Sequence, residues 1–209
     1  TNTESTIKFI KKVQDISQLP VGIKLCLGNE EEFRQLVKEM KKQSTFPDYI
    51  ALDGAQGGTG AAPKSFMDDL GVPLYPALQF VQRILKEEHV RNKLKIIASG
   101  KLINPGKQIT ALALGADAIY SARGFMLALG CIQALRCNKN DCPVGITTQD
   151  KYLQKGLDIN EKSERISNYA HNLKKEFKEI LTSTGSSSYK DLRNNKLYIP
   201  KVDSLAVCE

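Results

Sequence analysis

Four short apolar runs recur along the chain, and each is followed by a segment whose apolar residues have helical spacing. Continuous apolar runs of this length are typical of buried strands in a parallel sheet, joined by crossover helices. The runs are Val21–Leu27, Tyr49–Asp53, Lys95–Ser99 and Ala118–Ser121. The helices predicted after them are Glu30–Lys42, Leu74–Lys86, Pro105–Leu114 and Gly124–Leu135. The pattern therefore predicts an α/β fold built from four βα units.

The number of units limits the architecture. A closed (βα)₈ barrel of the TIM type needs about 250 residues, whereas this chain has 209. Thr1–Gln18 reads as a helix whose preceding strand lies outside the chain. We therefore expect about the last four βα units of such a barrel. The chain is then either part of a longer protein or a half-barrel completed by a partner that covers the edge of its first strand.

The composition changes after residue 150. Residues 1–150 carry the βα pattern, and residues 151–209 form a carboxyl-terminal extension. Asn160–Leu181 is predicted to be a long amphipathic helix, which the cluster STGSSS at Ser183–Ser188 ends. We expect the helix and the polar tail to pack on the outside of the sheet domain.

The charge balance does not favour nucleic-acid binding. The chain has 30 basic and 23 acidic side chains, a net charge of +7, but the two signs are interspersed and no zinc-finger spacing accompanies them. No run approaches the roughly 18–20 apolar residues of a membrane span. The start of the chain lacks the basic and apolar regions of a secretory signal. We expect a cytoplasmic protein whose five cysteines are thiols or ligands.

A glycine-rich loop follows the second strand. The segment DGAQGGTGAAP begins at Asp53 and places Gly54, Gly57, Gly58 and Gly60 within seven residues, with Thr59 among them. Without Cβ atoms such a backbone can approach a ligand closely. A mobile turn would have the same composition. The loop lacks the Gly-Lys-Ser/Thr ending of a Walker A motif and the GxGxxG of a dinucleotide fold.

The last two strands end in similar tripeptides, Ser99-Gly100-Lys101 and Ala122-Arg123-Gly124. TIM-type barrels commonly seat a phosphate at this place, on backbone N–H groups and a helix N-terminus. The glycines would equally permit tight turns. The sequence thus leaves a phosphate site and a structural turn as alternatives.

Three cysteines lie within twelve residues: Cys131, Cys137 and Cys142, the last followed by proline. In a reducing compartment this grouping favours a soft-ligand metal site or an iron–sulfur cluster. A zinc site would need a fourth ligand from a histidine or from Cys208. Unliganded buried thiols remain the alternative.

Lys24 interrupts an otherwise apolar strand. A buried ammonium group is costly unless it is paired, so an inward lysine on a barrel strand is often functional. The alternative is an edge strand on which Lys24 faces water.

Together these segments resemble the synthase domain of the glutamate synthase family. The resemblance rests on DGAQGGTGAAP, on IASGKLINPGKQITALALGADAIYSARGFMLALGCIQALRC and on CPVGITTQD, and it runs from about Val21 to Asp150. It is nearest to the shorter glutamate-synthase-like FMN proteins. The triple-cysteine spacing and the GGTGA loop are specific to the family.

The resemblance implies a set of site residues. In the family the domain is a (βα)₈ barrel that binds FMN and a [3Fe–4S] cluster held by three cysteines at this spacing. Cys131, Cys137 and Cys142 would be the cluster ligands, and Lys24 would contact the flavin ring and act in catalysis. Ser99–Lys101 and Ala122–Gly124 would hold the FMN phosphate, and Asp53 with the loop from Gly54 to Ala61 would line the flavin and substrate side.

The resemblance also implies a reaction, the reduction of 2-iminoglutarate, formed from 2-oxoglutarate and ammonia, to L-glutamate. Electrons would come from a donor protein or subunit through the cluster, and ammonia would be free or derived from glutamine. The chain starts with Thr1 and has no room for the glutaminase domain of ammonia-producing members. A cluster-bearing module without catalysis, and an FMN-barrel oxidoreductase acting on another substrate, are the alternatives.

Overall fold

Four parallel strands form one sheet in the order β1-β2-β3-β4. The computed structural model describes residues 2–57, 66–193 and 197–202. The strands are β1 (Gly22–Cys26), β2 (Tyr49–Asp53), β3 (Lys95–Ser99) and β4 (Ala118–Tyr120). The helices are α1 (Thr3–Ser17), α2 (Glu30–Lys42), α3 (Leu74–Glu87), α4 (Pro105–Ala113), α5 (Ala122–Ala128), α6 (Lys151–Gln154) and α7 (Ile159–Ser183), with short 3₁₀ helices at Arg91–Lys93 and Asp191–Arg193.

The predicted α/β fold with a parallel sheet is confirmed. Each strand pairs with the strand that follows it in the chain, so the sheet winds in one direction. A doubly wound sheet reverses its strand order at a switch point, whereas a barrel does not. The observed order is therefore that of consecutive units of a barrel, with β1 and β4 at the two edges.

Local sequence explains where the crossover helices begin. The side chain of Asn29 accepts hydrogen bonds from the backbone N–H groups of Glu31 and Glu32 at the start of α2. Asn104 does the same for Lys107 at the start of α4, where proline occupies the first turn. Asparagine caps and an initial proline satisfy or remove the free N–H groups of a first turn.

The two faces of the sheet differ sharply. One face packs against the helices and holds the core, including Ile50, Leu52, Ile96 and Ala98, whose side chains are inaccessible to water. The other, which we call the open face, carries two rows that the strand register aligns. The rows are Lys24, Ala51, Ile97 and Ala118, and then Cys26, Asp53, Ser99 and Tyr120.

The fourth crossover helix is shorter than predicted. The sequence favours a helix over Gly124–Leu135, but α5 ends at Ala128. Gly130 has φ = +98°, and Gln133 and Leu135 are also left-handed, with φ values of 56° and 54°. The prediction of a continuous helix is wrong because these backbone conformations end it and turn the following apolar residues towards a cavity.

The carboxyl-terminal extension packs against the outside of the βα units, as expected. α7 lies along α4 and α5, and the Tyr169 hydroxyl donates to the Ile103 carbonyl at 2.7 Å. The Arg193 guanidinium donates to the carbonyl oxygens of Leu112 and Ala116, at 3.2 and 2.5 Å. The division at residue 150 stays a prediction. In the described ranges, no helix combines the length and apolarity required to cross a membrane.

Candidate functional site

A cavity of about 150 Å³ lies where the strands end at the carboxyl edge of the sheet. It brings together residues from all four strands or from the loops that follow them. Eight residues predicted from the sequence line it: Lys24, Asp53, Gly57, Ser99, Gly100, Lys101, Ala122 and Arg123. The structure thus gathers segments that are up to about a hundred positions apart in the chain into one concave surface.

Two predicted glycines do not line this cavity. A Cβ atom on Gly54 would lie 2.5 Å from the Cβ of Leu74, and one on Gly124 would lie 2.1 Å from the Tyr169 hydroxyl oxygen. Their missing side chains permit close packing against α3 and α7 instead. Gly58, Thr59 and Gly60 lie outside the described residues.

Lys24 stands on the edge strand and projects from the open face. Its side chain is 63% exposed, and its Nζ lies 2.9 Å from Oδ2 of Asp53, whose side chain is 20% exposed. The ammonium group therefore reaches water and also has a carboxylate partner on the neighbouring strand, and a functional role for Lys24 stays a prediction.

A second ion pair lies beside the cavity. The Lys101 ammonium group contacts both carboxylate oxygens of Asp68, at 2.5 and 2.7 Å. Lys101 has φ = 50° and follows Gly100, whose φ is +154°. Both backbone conformations are unusual for residues with side chains. They bend the chain so that Ser99, Gly100 and Lys101 all line the cavity.

Four further residues line the cavity: Gln56, from the loop predicted to line the flavin side, and three that were not predicted from the sequence, Leu102, Tyr120 and Ser121. Oε1 of Gln56 accepts a hydrogen bond from the backbone N–H of Leu74 at 3.0 Å, and so caps α3, which has no cap from its own Pro73. Strand alternation from Ala118 would have placed Tyr120 on the open face.

The three clustered cysteines share a second cavity of about 280 Å³ with a mostly apolar lining. Cys131, Cys137 and Cys142 come from the irregular segment after α5. Among the described residues, no three His, Cys, Asp or Glu side chains stand close enough to hold one metal ion. This disfavours a mononuclear zinc site. The assignment of the three cysteines as cluster ligands stays a prediction.

Two of these sulfur atoms lie among backbone N–H groups. Burial raises the pKa of the Cys142 thiol, but N–H groups of Thr147, Val144 and Ile146 lower it more, and the result is a pKa of about 7. The N–H of Gln133 donates to Cys131 Sγ at 3.4 Å. Such donors favour the thiolate, which is the form that binds metals.

The two cavities are adjacent. Ala122 and Arg123, at the start of α5, line both of them. The short helix α5 therefore separates the surface that gathers the predicted flavin residues from the surface that gathers the cysteines.

Comparison with known proteins identifies the family. A family model described as a conserved region in glutamate synthase matches residues 1–187. The chain is 44% identical over 188 residues to the glutamate synthase large subunit-like protein YerD of Bacillus subtilis, covering 90% of this chain and 36% of that protein. It is 42% identical over 149 residues to the archaeal glutamate synthase [NADPH] of Methanocaldococcus jannaschii, covering 71% of this chain and 29% of that protein.

The fold also matches a solved structure. A putative lactate oxidase of Pediococcus acidilactici superposes with a TM-score of 0.54 at 14% identity, covering 93% of this chain and 39% of that one. At this identity the likeness shows the fold alone. The chain spans about a third of the length of the curated relatives it matches. On the family model and these relatives, the chain belongs to the glutamate synthase family.

Proposed function

We propose that this chain is the carboxyl-terminal half of the barrel of an FMN- and iron–sulfur-dependent oxidoreductase of the glutamate synthase type. The reaction is the reduction of 2-iminoglutarate, formed from 2-oxoglutarate and ammonia with loss of water, to L-glutamate. The observation that carries the proposal is the shared wall at Ala122 and Arg123. It joins the cavity of eight predicted flavin residues to the cavity of the three cysteines.

The cavity at the carboxyl edge of the sheet suits one side of FMN. Arg123 supplies positive charge, as do Lys24 and Lys101, each of which also pairs with an aspartate. The turn at Gly100 would bring backbone close to a ligand in the cavity. One buried acceptor, Oδ1 of Asp53, has no hydrogen-bond partner among the described residues. Ligand pockets usually measure about 300–1,000 Å³, so the 150 Å³ here encloses only part of such a molecule.

The rest of the flavin site would come from the amino-terminal half of the barrel. The matched relatives are about two and a half times as long as this chain. The open face presents Lys24, Cys26, Ala118 and Tyr120 to solvent in the absence of that half. The same half would cover the free edge of β1, which otherwise invites pairing with other strands.

Three basic residues of this chain would bind different parts of FMN. Lys101 and Arg123 would bind the phosphate together with backbone N–H groups at the start of α5. Lys24, on the open face, would hold positive charge beside the ring and stabilise negative charge there. When bound, FMN would supply the hydride for 2-iminoglutarate, and the [3Fe–4S] cluster would relay electrons from a donor protein or subunit.

The donor set in the cysteine cavity fits an iron–sulfur cluster. It offers three thiols, a mostly apolar wall and backbone N–H groups directed at the sulfur atoms of Cys131 and Cys142. These are the features by which proteins hold clusters and adjust their potentials. The apolar wall would also limit contact of the cluster with water.

The test is an assay of the natural protein that contains this chain, purified anaerobically. The protein is given 2-oxoglutarate, ¹⁵N-ammonium and reduced methyl viologen, and ¹⁵N-glutamate is measured by mass spectrometry. A parallel reaction contains ¹⁵N-amide glutamine. Labelled glutamate that depends on both 2-oxoglutarate and reductant supports the proposal. Reduction of a different oxo acid with none of 2-oxoglutarate would overturn it.

A further inference from the structure

Lys24 and Asp53 form a donor–acceptor pair at one end of the open face. The register pairs Cys26 of β1 with Asp53 of β2, and Lys24 lies two residues before Cys26 on the same face of the sheet. The Lys24 side chain extends along that face towards the carboxyl end of the strands. The Lys24 Nζ contacts Oδ2 of Asp53 at 2.9 Å. Both residues line the 150 Å³ cavity.

The second carboxylate oxygen of Asp53 is the unusual feature. Oδ1 is buried, and among the described residues nothing donates a hydrogen bond to it. Buried polar atoms in folded proteins nearly always have a partner, because leaving one unpaired costs its full desolvation. An acceptor in this position, on the wall of a cavity, is suited to an N–H group of a bound molecule.

The pair also limits which molecule fits. Side by side, the pair offers a positively charged donor and a negatively charged acceptor. Its complement is a ligand edge with a carbonyl oxygen next to an N–H group. The pyrimidine edge of a flavin ring has this arrangement, with N3–H between two carbonyl groups. A dicarboxylate such as 2-oxoglutarate has only acceptors on its carboxylates, and Asp53 would repel it.

We infer that the Lys24–Asp53 pair recognises the imide edge of the flavin ring. Oδ1 of Asp53 accepts a hydrogen bond from the ring N3–H, while Oδ2 holds the Lys24 ammonium group towards a neighbouring ring carbonyl. This inference rests on the proposed function, and it adds one specific hydrogen bond, from the ring N3–H to Oδ1 of Asp53. Asp53 is then a ring-binding residue and also the positioning residue for Lys24.

The experiment compares FMN with 3-methyl-FMN, in which the N3–H is replaced by N–CH₃. Apoprotein of the natural full-length protein is titrated with each, and the quenching of flavin fluorescence gives the two dissociation constants. We expect the wild type to bind 3-methyl-FMN about 10- to 100-fold more weakly, since the methyl group removes a hydrogen bond to a charged acceptor. Asp53→Ala should bind the two flavins with nearly equal affinity.

A matched control is Asp69→Ala, which removes an exposed carboxylate that does not line the cavity. It should keep the wild-type preference for FMN. Circular dichroism verifies that each variant is folded. If Asp53→Ala is not, it is replaced by Asp53→Leu, which also lacks an acceptor and is close to aspartate in size. If neither folds, the wild type alone decides, and equal affinity for both flavins overturns the inference.

The outcomes separate this inference from the proposed function. If the wild type binds neither flavin, the proposed function fails. If it binds FMN and Asp53→Ala discriminates against 3-methyl-FMN as strongly as the wild type does, the proposed function stands and the inference is overturned. Loss of discrimination in Asp53→Ala, but not in Asp69→Ala, supports the inference.

Discussion

The Tyr169 hydroxyl occupies the space that a side chain at Gly124 would need. A Cβ atom built on Gly124 would lie 2.1 Å from the Tyr169 Oη, while that hydroxyl donates to the Ile103 carbonyl at 2.7 Å. The Tyr169 ring also meets Phe125 edge to face, with the ring centroids 5.1 Å apart. Gly124 therefore allows α7 to dock against α5, the helix that separates the two cavities.

Gly124→Ala should destabilise the protein by about 1–3 kcal/mol, because the added methyl group displaces Tyr169 and breaks its hydrogen bond. Urea unfolding at neutral pH measures the effect. Gly106→Ala is the control, since a Cβ there would meet nothing closer than 3.6 Å in the first turn of α4. Equal stability of the Gly124 and Gly106 variants would contradict the packing role.

Asp117 anchors the segments that surround the amino end of β3. Its carboxylate accepts from the Arg91 guanidinium at 2.7 Å and from the Ile96 N–H at 2.9 Å. Burial raises the pKa of Asp117, but these donors outweigh it, and the pKa lies below its ordinary value of 3.8. A carboxyl group with a depressed folded-state pKa stabilises the fold above its unfolded-state pKa. That stability is lost as the pH falls through the folded-state value.

Asp117→Asn should therefore cost on the order of 2 kcal/mol at pH 7, since it removes charge-assisted hydrogen bonds from a half-buried site. The difference from the wild type should stay constant down to about pH 4–5 and shrink at lower pH, as the wild-type carboxylate protonates. Denaturant unfolding across pH 2.5–7 measures this. A difference that does not change with pH would mean that the charge of Asp117 contributes nothing.

Cys137→Ser should remove iron from the anaerobically purified natural protein while leaving it folded, because serine is a poor ligand for a cluster that needs three thiolates. Iron content and the electron paramagnetic resonance spectrum are the readouts. Cys26→Ser is the matched control, since Cys26 lies on the open face and does not line the cysteine cavity. Unchanged iron in Cys137→Ser would exclude Cys137 as a ligand.

Lys101→Ala should weaken FMN binding by about 10- to 100-fold, because it removes a cation from the phosphate end of the proposed site. Riboflavin, which lacks the phosphate, should bind both proteins alike. Lys95→Ala, at the opposite end of the same strand, should bind FMN as the wild type does. An equal loss for FMN and riboflavin would place Lys101 elsewhere than at the phosphate.

Much of the fold was predictable because its signals are local. The bounds of β2, β3 and α2 agree with the prediction, since apolar runs and helical spacing are read from adjacent residues. The end of α5 was not predictable in this way. Leu127 and Leu135 both line the cysteine cavity, but Leu127 lies in α5 and Leu135 has a left-handed backbone conformation, with φ = 54°.

The candidate site was predictable to a similar degree. Parallel strands deliver their carboxyl ends to one edge, so the grouping of Lys24, Asp53 and Ser99–Lys101 followed from the strand order. The pairing of Lys101 with Asp68 had no signal, because it joins residues 33 positions apart through a loop. The position of Gly54 also had no local signal, because Gly54 packs closely against Leu74 of α3 and does not line the cavity.

The most direct test of the central claim is the flavin and iron content of the natural protein, purified under anaerobic conditions and weighed intact. The account predicts a mass well above 23.2 kDa, a visible spectrum with flavin and iron–sulfur bands, and both cofactors in stoichiometric amounts. A colourless protein of 23.2 kDa that retains neither FMN nor iron would contradict it.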